Sequence, residues 1–235
     1  HVPWVEDDSN LDTRYDRNFL RQQLFPEIAQ RWPSYRQTIL RLLAHQRETK
    51  DLLDELAATD LENLQNPKHG SLYLDRLRSM KPARQKNILF YWINQQGLKL
   101  PASKHMQHIL DELVMPEENT GGCVNWPGVE IRRYRNQLYA LEPQSSAQPE
   151  TVENWDIRQS LRLLNDSLRV ESSTDTSVSF TVLTDARIDV RYRQGGESIR
   201  PAGLGMTKTI KQYFQEKGVL PWCRDQVPLI YINGE

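Results

Sequence analysis

Apolar positions recur at three- and four-residue spacing in the first part of the chain and at two-residue spacing further on, so helices are expected first and strands later. Residues 12–32 place Phe19, Leu20, Leu24 and Ile28 on one helical face. Pro26 is expected to break that run into two pieces. Ser34 then starts a long helix, with Gln37 at the capping-box position. Ile39, Leu42, Leu43, Leu52, Leu53, Leu56, Leu61 and Leu64 carry the period as far as Asn66-Pro67, while Glu48, Asp51, Asp54 and Glu55 make the other face acidic. Residues 71–75 alternate and read as a short strand. Pro82 suits the first turn of a third helix, with Ile88, Leu89, Trp92 and Ile93 inward and Gly97 at its end. Ser103 is expected to cap a fourth helix running through Met106, Ile109, Leu110 and Leu113. Residues 123–141 switch to period two, with a turn near Asn136, which reads as a hairpin.

The stretch 142–154 is rich in Pro, Ser and Gln and has no apolar period, as a linker does. Beyond it, short strand patterns occupy 167–170, 178–183 and 188–193. Residues 207–217 read as a helix with Ile210, Tyr213 and Phe214 inward, followed by Gly218 and a last strand over 227–232. The expected fold is therefore α+β. A helical domain with a small antiparallel sheet covers 1–143, a linker covers 144–154, and a small β-rich, sandwich-like domain with one helix covers 155–235. His1 is not an initiator residue, and Asn233-Gly234 is a hairpin-turn signal with no return strand after it. Both ends predict a fragment.

Composition narrows the classes. The 235 residues carry 30 Lys+Arg against 31 Asp+Glu, and 38% are hydrophobic, enough for a real core. No apolar run is long enough to span a membrane, and the first ten residues show no secretory pattern. Cys123 and Cys223 form no CxxC pair, which fits a reducing, cytoplasmic setting. No GxxxxGK[ST], GxGxxG after a strand, or HExxH occurs. His105 and His108 stand three apart without an evident third ligand, so no metal site is expected. Arg224 beside Cys223 is able to lower its pKa, but no base is identifiable, and Cys223 reads better as a small buried side chain. No catalytic constellation is expected in this chain.

Charge is unevenly spread. Residues 191–224 carry seven basic groups, Arg191, Arg193, Arg200, Lys208, Lys211, Lys217 and Arg224, against Glu197 and Glu216. Arg132, Arg133 and Arg135 form a second cluster on the expected hairpin. Lys208 and Lys211 would share a helical face. With Tyr192, Tyr213 and Trp222 nearby, such a surface suits phosphate backbone, although a solvated face has the same composition. Residues 6–16 are acidic, with Glu6, Asp7, Asp8, Asp12 and Asp16 against Arg14.

The residues Glu6-Asp7-Asp8-Ser9-Asn10, then Tyr15-Asp16-Arg17-Asn18-Phe19-Leu20-Arg21, then Pro26, resemble the segment just after the catalytic domain of bacterial tRNA(Ile)-lysidine synthetases. The run Arg193-Gln-Gly-Gly-Glu-Ser-Ile-Arg200-Pro201, with Lys208, Lys211, Phe214, Pro221-Trp222, Arg224-Asp225 and Pro228-Leu229, resembles that family's C-terminal domain, and Glu130-Ile-Arg-Arg-Tyr134 also fits. The resemblance is weakest over 142–190. The SGGxDS loop that holds ATP in the family's preceding domain does not occur here.

The resemblance implies the substrate-recognition part of an ATP-dependent ligase. The whole enzyme would adenylate the wobble cytidine of the CAU-anticodon isoleucine tRNA, and lysine would then displace AMP to give lysidine, changing codon reading from AUG to AUA. Its partners would be that tRNA, with lysine and ATP reached through the preceding domain. ATP and Mg would belong to the whole enzyme and no cofactor to this chain, which alone would be inactive. Asp7, Ser9, Asn10, Arg17, Asn18 and Arg21 would lie on the interdomain or nucleotide side. Arg132, Arg133, Arg193, Arg200, Lys208, Lys211 and Arg224 would contact tRNA, with Gly195-Gly196 as the turn that presents them. The alternative is a protein–protein interaction module that binds no RNA of its own. A homodimer is left open.

Overall fold

The computed structural model describes residues 12–116, 121–143, 149–163, 167–171, 186–200 and 206–234. The chain divides into two compact units, His1–Pro143 and Gln144–Glu235. The architecture is α+β.

Unit 1 opens with helix α1 (Asp16–Phe19), a π-helical stretch Leu20–Leu24, and α2 (Phe25–Arg31). The backbone stays helical through this junction, so Pro26 does not separate two pieces. Pro26 sits in the first turn of α2, where its missing N–H costs little, and the hydrogen-bond pattern before it widens to π instead. Helix α3 (Tyr35–Leu64) follows. Ser34 occupies its N-cap position but makes no side-chain cap bond, so the capping box expected with Gln37 does not form.

Strand β1 is only Leu72–Tyr73, and the chain turns at once into α4 (Leu74–Arg78), which the alternating pattern hid. Helix α5 (Pro82–Gln95) buries Ile88, Leu89, Trp92 and Ile93 as the period required, and Gly97 takes the left-handed conformation after it. Helix α6 (Ser103–His108) has Ala102, not Ser103, at the N-cap, and continues as a π-helix over Ile109–Val114. The expected hairpin is a three-strand meander, β2 (Gly122–Trp126), β3 (Val129–Tyr134) and β4 (Gln137–Leu141). A second turn at Pro127-Gly128 precedes the one at Arg135-Asn136. With β1 the sheet is antiparallel in the order β1-β4-β3-β2. Trp92, Leu64, Leu72, Ile109, Leu113, Ile131 and Leu138 are fully buried between this sheet and the helices. The Trp92 indole N–H donates to the Gly70 carbonyl at 2.8 Å, so its polar atom is satisfied inside the core.

Unit 2 is built from short antiparallel pairs. Strands β5 (Leu161–Arg162) and β6 (Ser167–Leu168) pair, as do β8 (Ser198–Ile199) with β9 (Lys208–Thr209) and β7 (Ile188–Arg191) with β10 (Leu229–Ile232). The expected strand at 178–183 lies outside the described residues. Helix α7 (Ile210–Glu216) is shorter than its pattern because Thr209 caps it, forming a capping box with Gln212. Ile188, Val190, Ile210 and Phe214 are buried. Val152 bridges to Val190, so part of the stretch read as linker pairs with β7.

Candidate nucleic-acid interface

In unit 1 the meander carries Arg132 and Arg133 on successive positions of β3, so they point to opposite faces. Arg132 is half-buried and its guanidinium holds the Glu130 carboxylate at 2.6 Å. Arg133 is buried. Its Nη1 donates to the carbonyls of Leu113 (3.3 Å) and Pro116 (2.6 Å), at the end of the helix that runs through Val114. Arg78 reaches the same end, donating to the carbonyls of Val114 and Pro116. Two cations at a helix C-terminus satisfy its orphan carbonyls and oppose its dipole. Burial, together with the charge of Arg78, pushes the Arg133 pKa down. Arg133 therefore serves the fold and does not present its charge to RNA, contrary to the sequence expectation.

In unit 2 the outcome is also mixed. Arg224 is buried, and its Nε donates to the Val219 carbonyl at 3.0 Å, which removes it from the contact surface as well. Lys208 lies on β9 and not on the helix. Its ammonium is bound to the Glu216 carboxylate at 2.8 Å, whereas Lys211 is exposed on α7. Arg193 pairs with Asp225 at 3.1 Å, and Arg200 is exposed. Gly195 and Gly196 both have positive φ. The loop they form wraps its N–H groups around Glu197, with Gln194 N at 2.5 Å and Gly195 N at 2.9 Å from the carboxylate. Partial burial opposes the charged form of Glu197, but these backbone bonds and Arg193 outweigh it and lower its pKa.

Asp7, Ser9 and Asn10 lie outside the described residues. Arg17 and Arg21 stand one helical turn apart, both exposed. Asn18 donates from Nδ2 to the Asp12 carbonyl at 2.9 Å, closing the turn that starts α1. Among the described residues no group of three or more His, Cys, Asp or Glu is placed to hold a metal. His105 stacks on Trp126 with ring centroids 5.7 Å apart, and His108 faces Glu112.

One basic region escaped the sequence reading. From Arg76 to Leu110 there are seven Lys and Arg and no acidic residue. Arg76, Lys81, Lys86, Lys99 and Lys104 are exposed in this stretch, on and around α4, α5 and α6. Arg76 also lies over the Tyr73 ring at 4.7 Å. Segment-by-segment charge counting reveals it; the near-zero net charge of the whole chain conceals it.

Residues 72–139 match the family model described as TilS substrate binding domain, and residues 188–235 match the one described as TilS substrate C-terminal domain. The chain is 36% identical over its whole length to a tRNA(Ile)-lysidine synthase of Coxiella burnetii. It is 32% identical to one of Legionella pneumophila (strain Paris) and 35% identical to one of Nitrosomonas europaea, again over all of its length. The chain belongs to the tRNA(Ile)-lysidine synthase family. It spans about half the length of these relatives, 52%, 53% and 51% of them respectively. Within that family frame the acid-free basic stretch falls inside the substrate-binding match, and the loop around Gly195-Gly196 falls inside the C-terminal match. Residues 12–71 lie in neither.

Proposed function

We propose that this chain is the tRNA-holding region of an ATP-dependent ligase that joins lysine to the wobble cytidine of the CAU-anticodon isoleucine tRNA. The observation that carries the proposal is the acid-free, exposed set Arg76, Lys81, Lys86, Lys99 and Lys104 inside the segment matched to a substrate-binding domain. Lysines and arginines at this density release counterions from a phosphate backbone, which supplies affinity independent of base identity. Arg132, Arg193, Arg200, Lys208 and Lys211 extend the set, with Lys208 and Arg193 held by acidic partners in the free protein.

ATP and Mg belong to the remaining part of such an enzyme. We assign no step of the ligation to the residues of this chain. Their work is to bind and orient tRNA so that the wobble base reaches a site elsewhere, in the cytoplasm where tRNA is modified. Among the described residues no helix is long and apolar enough to cross a membrane.

Filter binding with the CAU isoleucine tRNA, an elongator methionine tRNA and a plain RNA duplex tests the reading. Tighter binding of the isoleucine tRNA places discrimination in this chain. Equal, measurable binding of all three leaves it the gripping role alone. Absence of binding to any of them overturns the proposal in favour of a protein–protein module.

A further inference from the structure

Basic groups of the C-terminal match are covered by carboxylates of unit 2 itself. Lys208 on β9 is held by Glu216 at the end of α7, and the lysine side chain is 20% exposed against 53% for the glutamate. Arg193 is held by Asp225, 24% exposed against 74%. In both pairs the base lies beneath and the acid faces solvent. Glu197 plays the same part in the glycine loop. Its carboxylate accepts the N–H of Gln194 at 2.5 Å, and that of Gly195 at 2.9 Å from one oxygen and 3.0 Å from the other. Successive backbone N–H groups turned to one side make a concavity for an anion. Gly195 and Gly196 have φ of +108° and +93°, and a Cβ on either would meet nothing within 4 Å, so the outer side of the loop is open.

The three positions belong to one small structure. Strand β8 pairs with β9, which sets Ile199 opposite Lys208, and the Ile210 N–H at the start of α7 donates to the Glu197 carbonyl at 2.9 Å. Arg193 precedes the loop and adds its charge to the field at Glu197. A phosphodiester carries one negative charge over two non-bridging oxygens, as a carboxylate does, and takes the same donors. Ion pairs this exposed add little to stability, so stability alone does not call for all three carboxylates here. We propose that Arg193, Lys208 and the N–H groups of Gln194 and Gly195 are a phosphodiester-binding surface that Glu197, Asp225 and Glu216 occupy in the free protein, and that RNA binds there by displacing the three carboxylates. The proposal rests on the reading of this chain as an RNA-holding region. Tethered beside their donors, the carboxylates compete at high effective concentration. An RNA that touches only this surface gains little, whereas one that also engages the exposed Arg200 and Lys211 overcomes the displacement. The carboxylates thereby set a threshold against stray RNA.

Two measurements on the whole chain test it. The first is an amide NMR titration with inorganic phosphate, against sodium chloride of equal ionic strength. In Glu197→Ala we expect the Gln194 and Gly195 amides to shift saturably with phosphate, and in the unchanged chain to stay still. Glu197→Gln, which keeps the shape of the side chain, replaces this variant if it disturbs the signals of the buried Ile188 and Val190. Loop amides that ignore phosphate in a folded variant overturn the proposal. The second measurement is the affinity of Asp225→Asn with Glu216→Gln for a plain RNA duplex. Both side chains are more than half exposed, so the substitutions spare the fold. We expect binding about fivefold tighter and a salt slope steeper by about two. Glu55→Gln with Glu62→Gln, which removes the same charge from exposed positions of α3, should give a smaller gain. Equal gains from the two pairs, or none from the first, overturn the proposal while RNA binding itself stands. If neither the unchanged chain nor any variant binds RNA, the RNA-holding reading falls and the proposal falls with it.

Discussion

Arg84 closes on Asp60 through two parallel hydrogen bonds, Nε to Oδ2 at 2.9 Å and Nη2 to Oδ1, and so ties α5 to the last turns of α3. The Asn87 amide reinforces the contact by donating to the Leu53 carbonyl at 2.7 Å. Asp60 is buried while Arg84 is half exposed. This is where the long helix leaves the core and begins to project.

The asymmetry in burial sets an order of effects. Arg84→Ala strands a carboxylate in the core, whereas Asp60→Asn leaves an arginine that water can still reach. We expect Arg84→Ala to lower the chemical-unfolding midpoint of unit 1 more than Asp60→Asn does. The reverse order would contradict the pairing.

Gly122 lies against the core with no room for a side chain. A Cβ there would stand 2.6 Å from Leu113 Cδ2, and Leu113 is fully buried. Gly122→Ala should therefore destabilise unit 1 by about 1–3 kcal/mol through overpacking, read by denaturant unfolding. Gly128→Ala, which meets nothing within 4 Å, tests strain alone because its φ is +86°.

Asp189 is buried on β7 and accepts the Asn154 backbone N–H at 2.9 Å, then Arg191 and Arg187 from either side. The Asn154 bond and the two guanidinium groups outweigh burial and bring its pKa from 3.8 to about 2. A carboxyl with a depressed pKa stabilises the folded state above its unfolded value and loses that contribution as pH falls through its folded one. Unit 2 should accordingly lose stability between about pH 4 and pH 2. Asp189→Asn should flatten that part of the curve and lower stability at neutral pH.

The buried and exposed arginines make opposite predictions. Lys81→Ala with Lys86→Ala should leave folding intact and reduce the salt slope of RNA binding by about two. Arg133→Ala should instead lower the thermal midpoint, because it removes the cap on the Leu113 and Pro116 carbonyls. Lys211→Ala should cost more of the salt slope than Lys208→Ala, since Glu216 already neutralises Lys208.

The helical period at Ile88, Leu89, Trp92 and Ile93 was legible because a face that repeats every 3.6 residues has one physical solution. The switch to period two gave the sheet but not its strand count, because Pro127-Gly128 interrupts a pattern that alternates on both sides. Helix α4 was invisible: five residues next to a strand leave no periodicity to read. Charge could be read by kind and not by direction. Arg132 and Arg133 are neighbours in sequence, and only the pleat of β3 decides that one turns inward. The apolar period of α3 was legible along its whole length, but not that Leu42 and Leu43 are exposed while Leu61 and Leu64 are buried, because a period gives the direction of a face and not what packs on it.

The most direct test of the central claim is the salt dependence of tRNA affinity, measured by fluorescence anisotropy of this chain with the CAU isoleucine tRNA from about 50 to 300 mM salt. We expect affinity to fall steeply, with a log–log slope of about −3 or steeper, as several phosphate contacts require. Affinity that is flat across the series, or no binding at the lowest salt, would contradict the assignment of this basic surface to RNA.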